Sequence, residues 1–188
     1  MSAVSKIFII HGFTAGPDSN WFAWLKQQAQ RHGVQAHVLE MPESFAPNDE
    51  AWQLTLQNEI HHVDENTFFV GHSLGCVTAL RFIESLKNPA TVGGAVMVSG
   101  FSQSVETLPE LESFTRLPLD FDLLKKRIHK RAVLLSLNDR IVAPIHSLHL
   151  SQDLDADLHG IPRGGHFLDR DGYQQFEKVW EVLHSMMR

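Results

Sequence analysis

The stretch Thr67-Phe68-Phe69-Val70-Gly71-His72-Ser73-Leu74-Gly75-Cys76-Val77-Thr78-Ala79-Leu80 restricts the fold of this chain more than any other. A short apolar run stops at Gly71, and a nearly all-apolar run of helical length starts straight after Ser73. A strand that turns into a helix so abruptly leaves no room for side chains two positions either side of the tip. Glycine at 71 and 75 meets that condition. The hydroxyl of Ser73 is left projecting into a cleft, and the free N–H groups of the helix N-terminus point at the same space. Gly-x-Ser-x-Gly between a strand and a helix is the pattern that presents a nucleophilic serine. Cys76, three residues into the helix, falls on the packed side and reads as a small hydrophobe rather than a nucleophile.

The rest of the chain supplies matching units. Apolar, β-branched runs predict strands at 4–10, 34–40, 67–70, 92–99 and 131–137, with a weaker one at 157–161. Helices are expected at 21–32, after Asn48 or Asp49, at 74–86, from Asp120 or Asp122 to about Ile128, and from Pro144 to Leu154. Ser19 or Asn20 is placed to cap the first helix, and Gly33 to stop it. The last helix is the clearest, with Tyr173, Phe176, Trp180, Leu183 and Met187 spaced three or four apart. Segment 101–119 is the only long irregular one. Strands alternating with helices predict an α/β domain over residues 1–188, three layers deep, around a mostly parallel six-stranded sheet. Ligands of such sheets bind beyond the carboxyl ends of the strands.

Composition enters through what it excludes. A net charge of −6 argues against a nucleic-acid partner, which usually demands a basic face. One cysteine rules out an internal disulfide framework and suits a reducing compartment. Residues 1–7 lack the long apolar run of a secretory signal, and no window approaches the length of a membrane span. A cytoplasmic protein without membrane attachment is the expectation. The 12 histidines form no HExxH or paired Cys/His spacing, so no metal site is expected.

A serine hydroxyl becomes an effective nucleophile only with a base in reach and a third group to orient that base. For a serine in this turn the chain order is serine, acid, histidine. Asp139 follows the fifth predicted strand, and Pro144 starts the next helix. His166 follows Gly164-Gly165 in a late loop. Asp169 and Asp171 are rival acids, but they come after the histidine and are placed to cap the last helix. The oxyanion donors are expected to be the N–H groups of Leu74 and of Phe13, in the loop after the first strand, with Thr14 as second choice for the latter. His11 reads as holding that loop. It is grouped with Phe101, Phe114 and Leu117 as expected neighbours of the substrate pocket.

With these residues in place, the chain resembles the α/β-hydrolase superfamily, and within it the small serine hydrolases of the retinoblastoma-binding protein nine type. The resemblance rests on His11-Gly12-Phe13 with Pro17 and then Trp21 to Trp24, on Gly71-His72-Ser73-Leu74-Gly75, on Asn138-Asp139 with Val142 and Pro144, and on Gly164-Gly165-His166-Phe167. It implies a trimmed hydrolase core without the first two antiparallel strands and without a large lid, and serine-esterase activity. It does not extend to a pocket-protein partner. The Leu-x-Cys-x-Glu motif is missing, its nearest match being Leu74-Gly75-Cys76-Val77-Thr78.

The expectation is therefore a carboxylesterase-like enzyme. Ser73 attacks an acyl carbonyl, His166 carries the proton and Asp139 orients it, with no cofactor, no obligate protein partner and a small acyl ester as substrate. Amides, thioesters and peptides would use the same machinery. A binding protein that retains the hydrolase fold is the alternative from another class.

Overall fold

A computed structural model describes residues 4–87 and 89–188. Six strands form one sheet: β1 (Lys6–Ile10), β2 (Gln35–Leu39), β3 (Thr67–His72), β4 (Val92–Val98), β5 (Ile128–Ser136) and β6 (Asp157–Ile161). Their order is β2-β1-β3-β4-β5-β6, and every neighbouring pair is parallel. The helices are α1 (Phe22–Arg31), α2 (Asp49–Glu59), α3 (Leu74–Ser85), α4 (Glu112–Thr115), α5 (Phe121–Arg127), α6 (Pro144–Leu154) and α7 (Glu177–Met186). The strand order reverses direction at β1 and β3, so the carboxyl ends of these two central strands mark the switch point where such sheets bind ligands.

Two apolar layers follow from the period-two alternation of the strands. Phe8 and Ile10 of β1, Phe69 of β3 and Met97 of β4 pack with Trp52, Leu56, Leu80 and Leu150 on the face covered by α2, α3 and α6. Ile7, Ile9, Phe68, Val70 and Val96 point the other way, into a layer closed by Phe22 and Leu25 of α1 and Val179 and Leu183 of α7. Among the described residues no helix is long and apolar enough to cross a membrane.

The boundaries differ from expectation where side chains found other partners. α1 starts after Trp21 without a side-chain cap, because Ser19 Oγ accepts from the N–H of Gly16 and Asn20 Oδ1 accepts from that of Asp169. Asn48 caps α2 through the N–H of Ala51, and Asp120 caps α5 through that of Leu123. α7 begins at Glu177, not near Tyr173, since Tyr173 and Phe176 turn inward against the ring of Phe167. The irregular segment holds the short α4 and one 3₁₀ turn, Pro109–Leu111.

Candidate active site

β3 runs through His72 and α3 begins at Leu74, so a single residue makes the turn. Ser73 takes φ 54° and ψ −121°, a strained conformation held by its own N–H, which donates to the carbonyl of Val98 at 2.9 Å. The flanking glycines are sterically required. A Cβ on Gly75 would lie 2.1 Å from the carbonyl oxygen of Ile10, and one on Gly71 would lie 2.7 Å from Cα of Cys76. Cys76 is fully buried, and burial pushes its thiol far above the ordinary range.

Asp139 leaves the end of β5 and folds back on its own loop. Its Oδ1 accepts from the N–H groups of Ile141 (2.9 Å) and Val142 (3.0 Å), and its Oδ2 accepts from Nδ1 of His166 at 2.7 Å. The Nδ1 proton is thereby committed to the carboxylate, leaving the Nε2 lone pair of His166 open. Asp139 and His166 are both buried, at 6% exposure each. Ser73 and His166 line the same hollows at the switch point. Among the described residues the Ser73 hydroxyl makes no hydrogen bond, to the imidazole or otherwise. Such contacts commonly tighten only when a substrate is bound.

The histidine loop is held from several sides. Asp171 Oδ2 accepts from the N–H groups of His166 (2.9 Å) and Leu168 (3.1 Å). Ser136 Oγ accepts from Gly164, and Asn138 Oδ1 from Gly165. Trp21 Nε1 donates to the carbonyl of Phe167 at 3.1 Å. His72 Nε2 donates to the carbonyl of His166 at 2.8 Å, beneath a ring-to-ring approach of 4.9 Å. Burial pushes the His72 imidazole down to about 3, with the neighbouring His166 acting in the same direction. It is a neutral donor. Asp171 thus ties the histidine turn and does not cap α7.

Gly12 carries the loop after β1 across the serine, where a Cβ would sit 3.1 Å from Ser73 Cβ and 3.6 Å from the nitrogen of Leu74. Among the described residues the N–H groups of Phe13 and Leu74 have no hydrogen-bond acceptor. That of Thr14 is taken by the carbonyl of Ser44 at 2.7 Å, which removes Thr14 as a donor. His11 is fully buried. Its Nε2 accepts from the N–H of Met41, so Nδ1 donates to the carbonyl of Gly12. Burial lowers its basicity.

Two hollows share Ser73 in their walls. One, of about 250 Å³, includes Ala15, Ser19, Asn20 and Asp169. The other, of about 340 Å³, adds Thr107, Leu108, Arg140 and Ile141. Phe13, Thr14, Ser73, His166, Leu168 and Arg170 belong to both. The expected pocket neighbours His11, Phe101, Phe114 and Leu117 line neither. His11, Phe101 and Phe114 are absorbed into the interior, Phe114 against Trp52, while the Leu117 side chain points to solvent. The irregular segment reaches the cleft through Thr107 and Leu108 instead, tied down by the Thr107 hydroxyl on the carbonyl of Ile141. Neither residue carries a sequence signal, because loop walls have no periodicity. Among the described residues no three His, Cys, Asp or Glu side chains gather as metal ligands.

Residues 7–185 match the model of the serine hydrolase family. The chain belongs to the serine hydrolase family. It is 41% identical to the protein YdeN of Bacillus subtilis over 180 residues, covering 96% of this chain and 95% of that protein. The crystal structure of the ydeN gene product superposes with a TM-score of 0.95 at 40% identity, over 97% of this chain and 98% of that one. The serine hydrolase RBBP9 of Rattus norvegicus is 24% identical, over 100% of this chain and 98% of the rat protein. This serine hydrolase therefore has the α/β-hydrolase fold, in the small form that the sequence resembles.

Proposed function

We propose that this serine hydrolase cleaves small acyl esters through Ser73, His166 and Asp139. The observation that carries the reading is the convergence of the three at the carboxyl ends of β3 and β5, with His166 hydrogen-bonded to Asp139 at 2.7 Å and lining the same hollow as Ser73. Nε2 takes the Ser73 proton as Oγ bonds to the acyl carbon, and Asp139 stabilises the imidazolium that results. The carbonyl oxygen gains negative charge, which the unpartnered N–H groups of Phe13 and Leu74 are free to meet. The imidazolium returns its proton to the leaving alcohol, and an acyl-enzyme forms. Water, deprotonated by the same nitrogen, then releases the acid and restores Ser73. The only cysteine is buried and reduced, in keeping with a cytoplasmic setting.

The test is a panel of esters, thioesters and amides of graded acyl length, run on wild type and Ser73→Ala. Ester turnover is expected to fall by roughly four orders of magnitude or more in the variant, and labelling by a fluorophosphonate to vanish. Full labelling of Ser73→Ala would overturn the proposal. A preference for thioesters or amides would keep the residues and change the bond.

A further inference from the structure

The larger hollow beside Ser73 has an apolar wall and two charges. Phe13, Leu108, Ile141 and Leu168 supply the wall, and its lining includes two arginines, Arg140 and Arg170, and no Lys, Asp or Glu. Both arginines also line an adjoining hollow of about 290 Å³, together with His166 and Asp171. One comes from the loop after β5 and the other from the loop after His166.

Among the described residues neither guanidinium is in an ion pair or donates a hydrogen bond. Carboxylates are at hand but engaged elsewhere. Asp139 is held by Ile141, Val142 and His166, and Asp171 by the N–H groups of His166 and Leu168. Asp169 Oδ1 accepts from the backbone N–H of Arg170, not from its side chain. The arginines are not drawn from a generally basic surface either, since the chain carries 22 acidic against 16 basic residues. Two arginines that line one hollow without a protein partner can both donate to a planar anion bound there.

We propose that Arg140 and Arg170 select the substrate: a small ester carrying a free carboxylate a few bonds from the scissile carbonyl, its apolar link lying along Leu108 and Ile141. This rests on the ester hydrolase reading above and narrows it. It makes the arginines specificity determinants that contact a remote part of the substrate and leave the bond-breaking steps to the residues around Ser73.

The experiment compares the para-nitrophenyl half-ester of glutaric acid with para-nitrophenyl pentanoate, its neutral counterpart. In wild type the ratio of kcat/KM, charged over neutral, is expected to be roughly ten or more, the scale of one charge-assisted hydrogen bond. The double variant R140Q/R170Q should bring the ratio close to one, and R140K/R170K should hold part of it, since an ammonium keeps the charge without the fork. A wild-type ratio at or below one, or a ratio that survives R140Q/R170Q, overturns the proposal. A binding arm separates this from failure of the hydrolase reading. Monomethyl glutarate is titrated into Ser73→Ala with and without the two arginine substitutions. Arginine-dependent binding without any ester turnover would leave the anion site standing and remove the hydrolase; arginine-independent binding, or none, would remove the anion site.

Discussion

Two turns meet at the cleft, and they are held in different ways. The Ser73 turn is set by the main chain around it. One residue separates β3 from α3, two glycines let the segments touch, and the strained φ is locked by a single main-chain bond to Val98. The His166 turn is set by side chains: Trp21, His72, Ser136 and Asn138, all distant in sequence, each hold one of its main-chain groups, and the nearby Asp171 holds two. The first cannot be altered without disturbing the sheet. The second can be loosened one tie at a time. If Ser73 is the nucleophile and His166 the base, as proposed, substitutions in the first turn should cost stability and substitutions in the second should cost activity.

The hardest test of that contrast is Gly75→Ala. Its methyl would lie 2.1 Å from the carbonyl oxygen of Ile10 and 2.8 Å from that of His11, and both are main chain at the carboxyl end of β1. Overpacking of this kind costs ~1–3 kcal/mol where side chains can move aside, and more is expected where they cannot. Urea unfolding should show a loss of at least about 3 kcal/mol or no folded protein at all. A variant with wild-type stability would show that the turn yields.

Gly165→Ala strikes the other turn. Here φ is +58°, and a methyl would come within 2.4–2.6 Å of the Asp171 carboxylate, an exposed side chain that can swing away. Gly33 is the control, with φ +74° and open space around it. Both alanines bear the left-handed conformation, about 1–2 kcal/mol each. Only Gly165→Ala also displaces a tie of His166, so kcat should drop roughly tenfold there and stay near wild type in Gly33→Ala. Equal kcat values in the two would mean that Asp171 does not position the histidine.

The same division explains how much could be read without coordinates. The turn at Ser73, the α/β alternation, the parallel sheet and the residues at strand ends are written locally, as glycine spacing, β-branched runs and a proline at the start of α6. The proposed partners Asp139 and His166 were legible because their order along the chain is constrained once Ser73 is fixed. What holds His166 was not legible, because a tie between Trp21 and Phe167 leaves no periodic trace in either segment. His72 was hidden in plain view, since the first x of Gly-x-Ser-x-Gly reads as a free position while here it donates to the main chain of His166. The pocket wall failed for a related reason. Apolar residues in an irregular segment, Phe101 and Phe114, satisfy the interior first, and the cleft receives what is left at 107 and 108.

His72 also makes the His166 turn sensitive to acid. In the folded protein it stays neutral down to about pH 3, whereas in the unfolded chain it takes a proton near 6.5. Below 6.5 the unfolded state binds more protons, so the stability from this site is complete above 6.5 and is lost as pH falls toward 3. Between pH 7 and pH 5 the loss comes to roughly 2 kcal/mol. His72→Gln keeps an N–H for the His166 carbonyl and removes the titration. Its urea midpoint should therefore fall much less than wild type over that interval, with His11, depressed in the same direction by burial, contributing equally to both proteins. Parallel pH profiles would show that His72 is protonated in the folded state.

The smallest effect discriminates best, because it pairs two substitutions of similar cost. Trp21→Phe removes the donor to the Phe167 carbonyl while keeping a ring against Phe22, His72 and Phe176. A neutral hydrogen bond of this kind is worth about 1 kcal/mol. Asn48→Ala removes the cap of α2 for about the same amount, at a point that lines neither hollow. If the histidine turn is held by its remote ties, Trp21→Phe should lower kcat several-fold with KM little changed, because the displaced group is the proposed base and not a substrate contact. Asn48→Ala should lower only the unfolding midpoint. The same kcat in both would mean that the tryptophan merely fills space, and the placing of the imidazole would then rest on Asp139 and the remaining ties from His72, Ser136, Asn138 and Asp171.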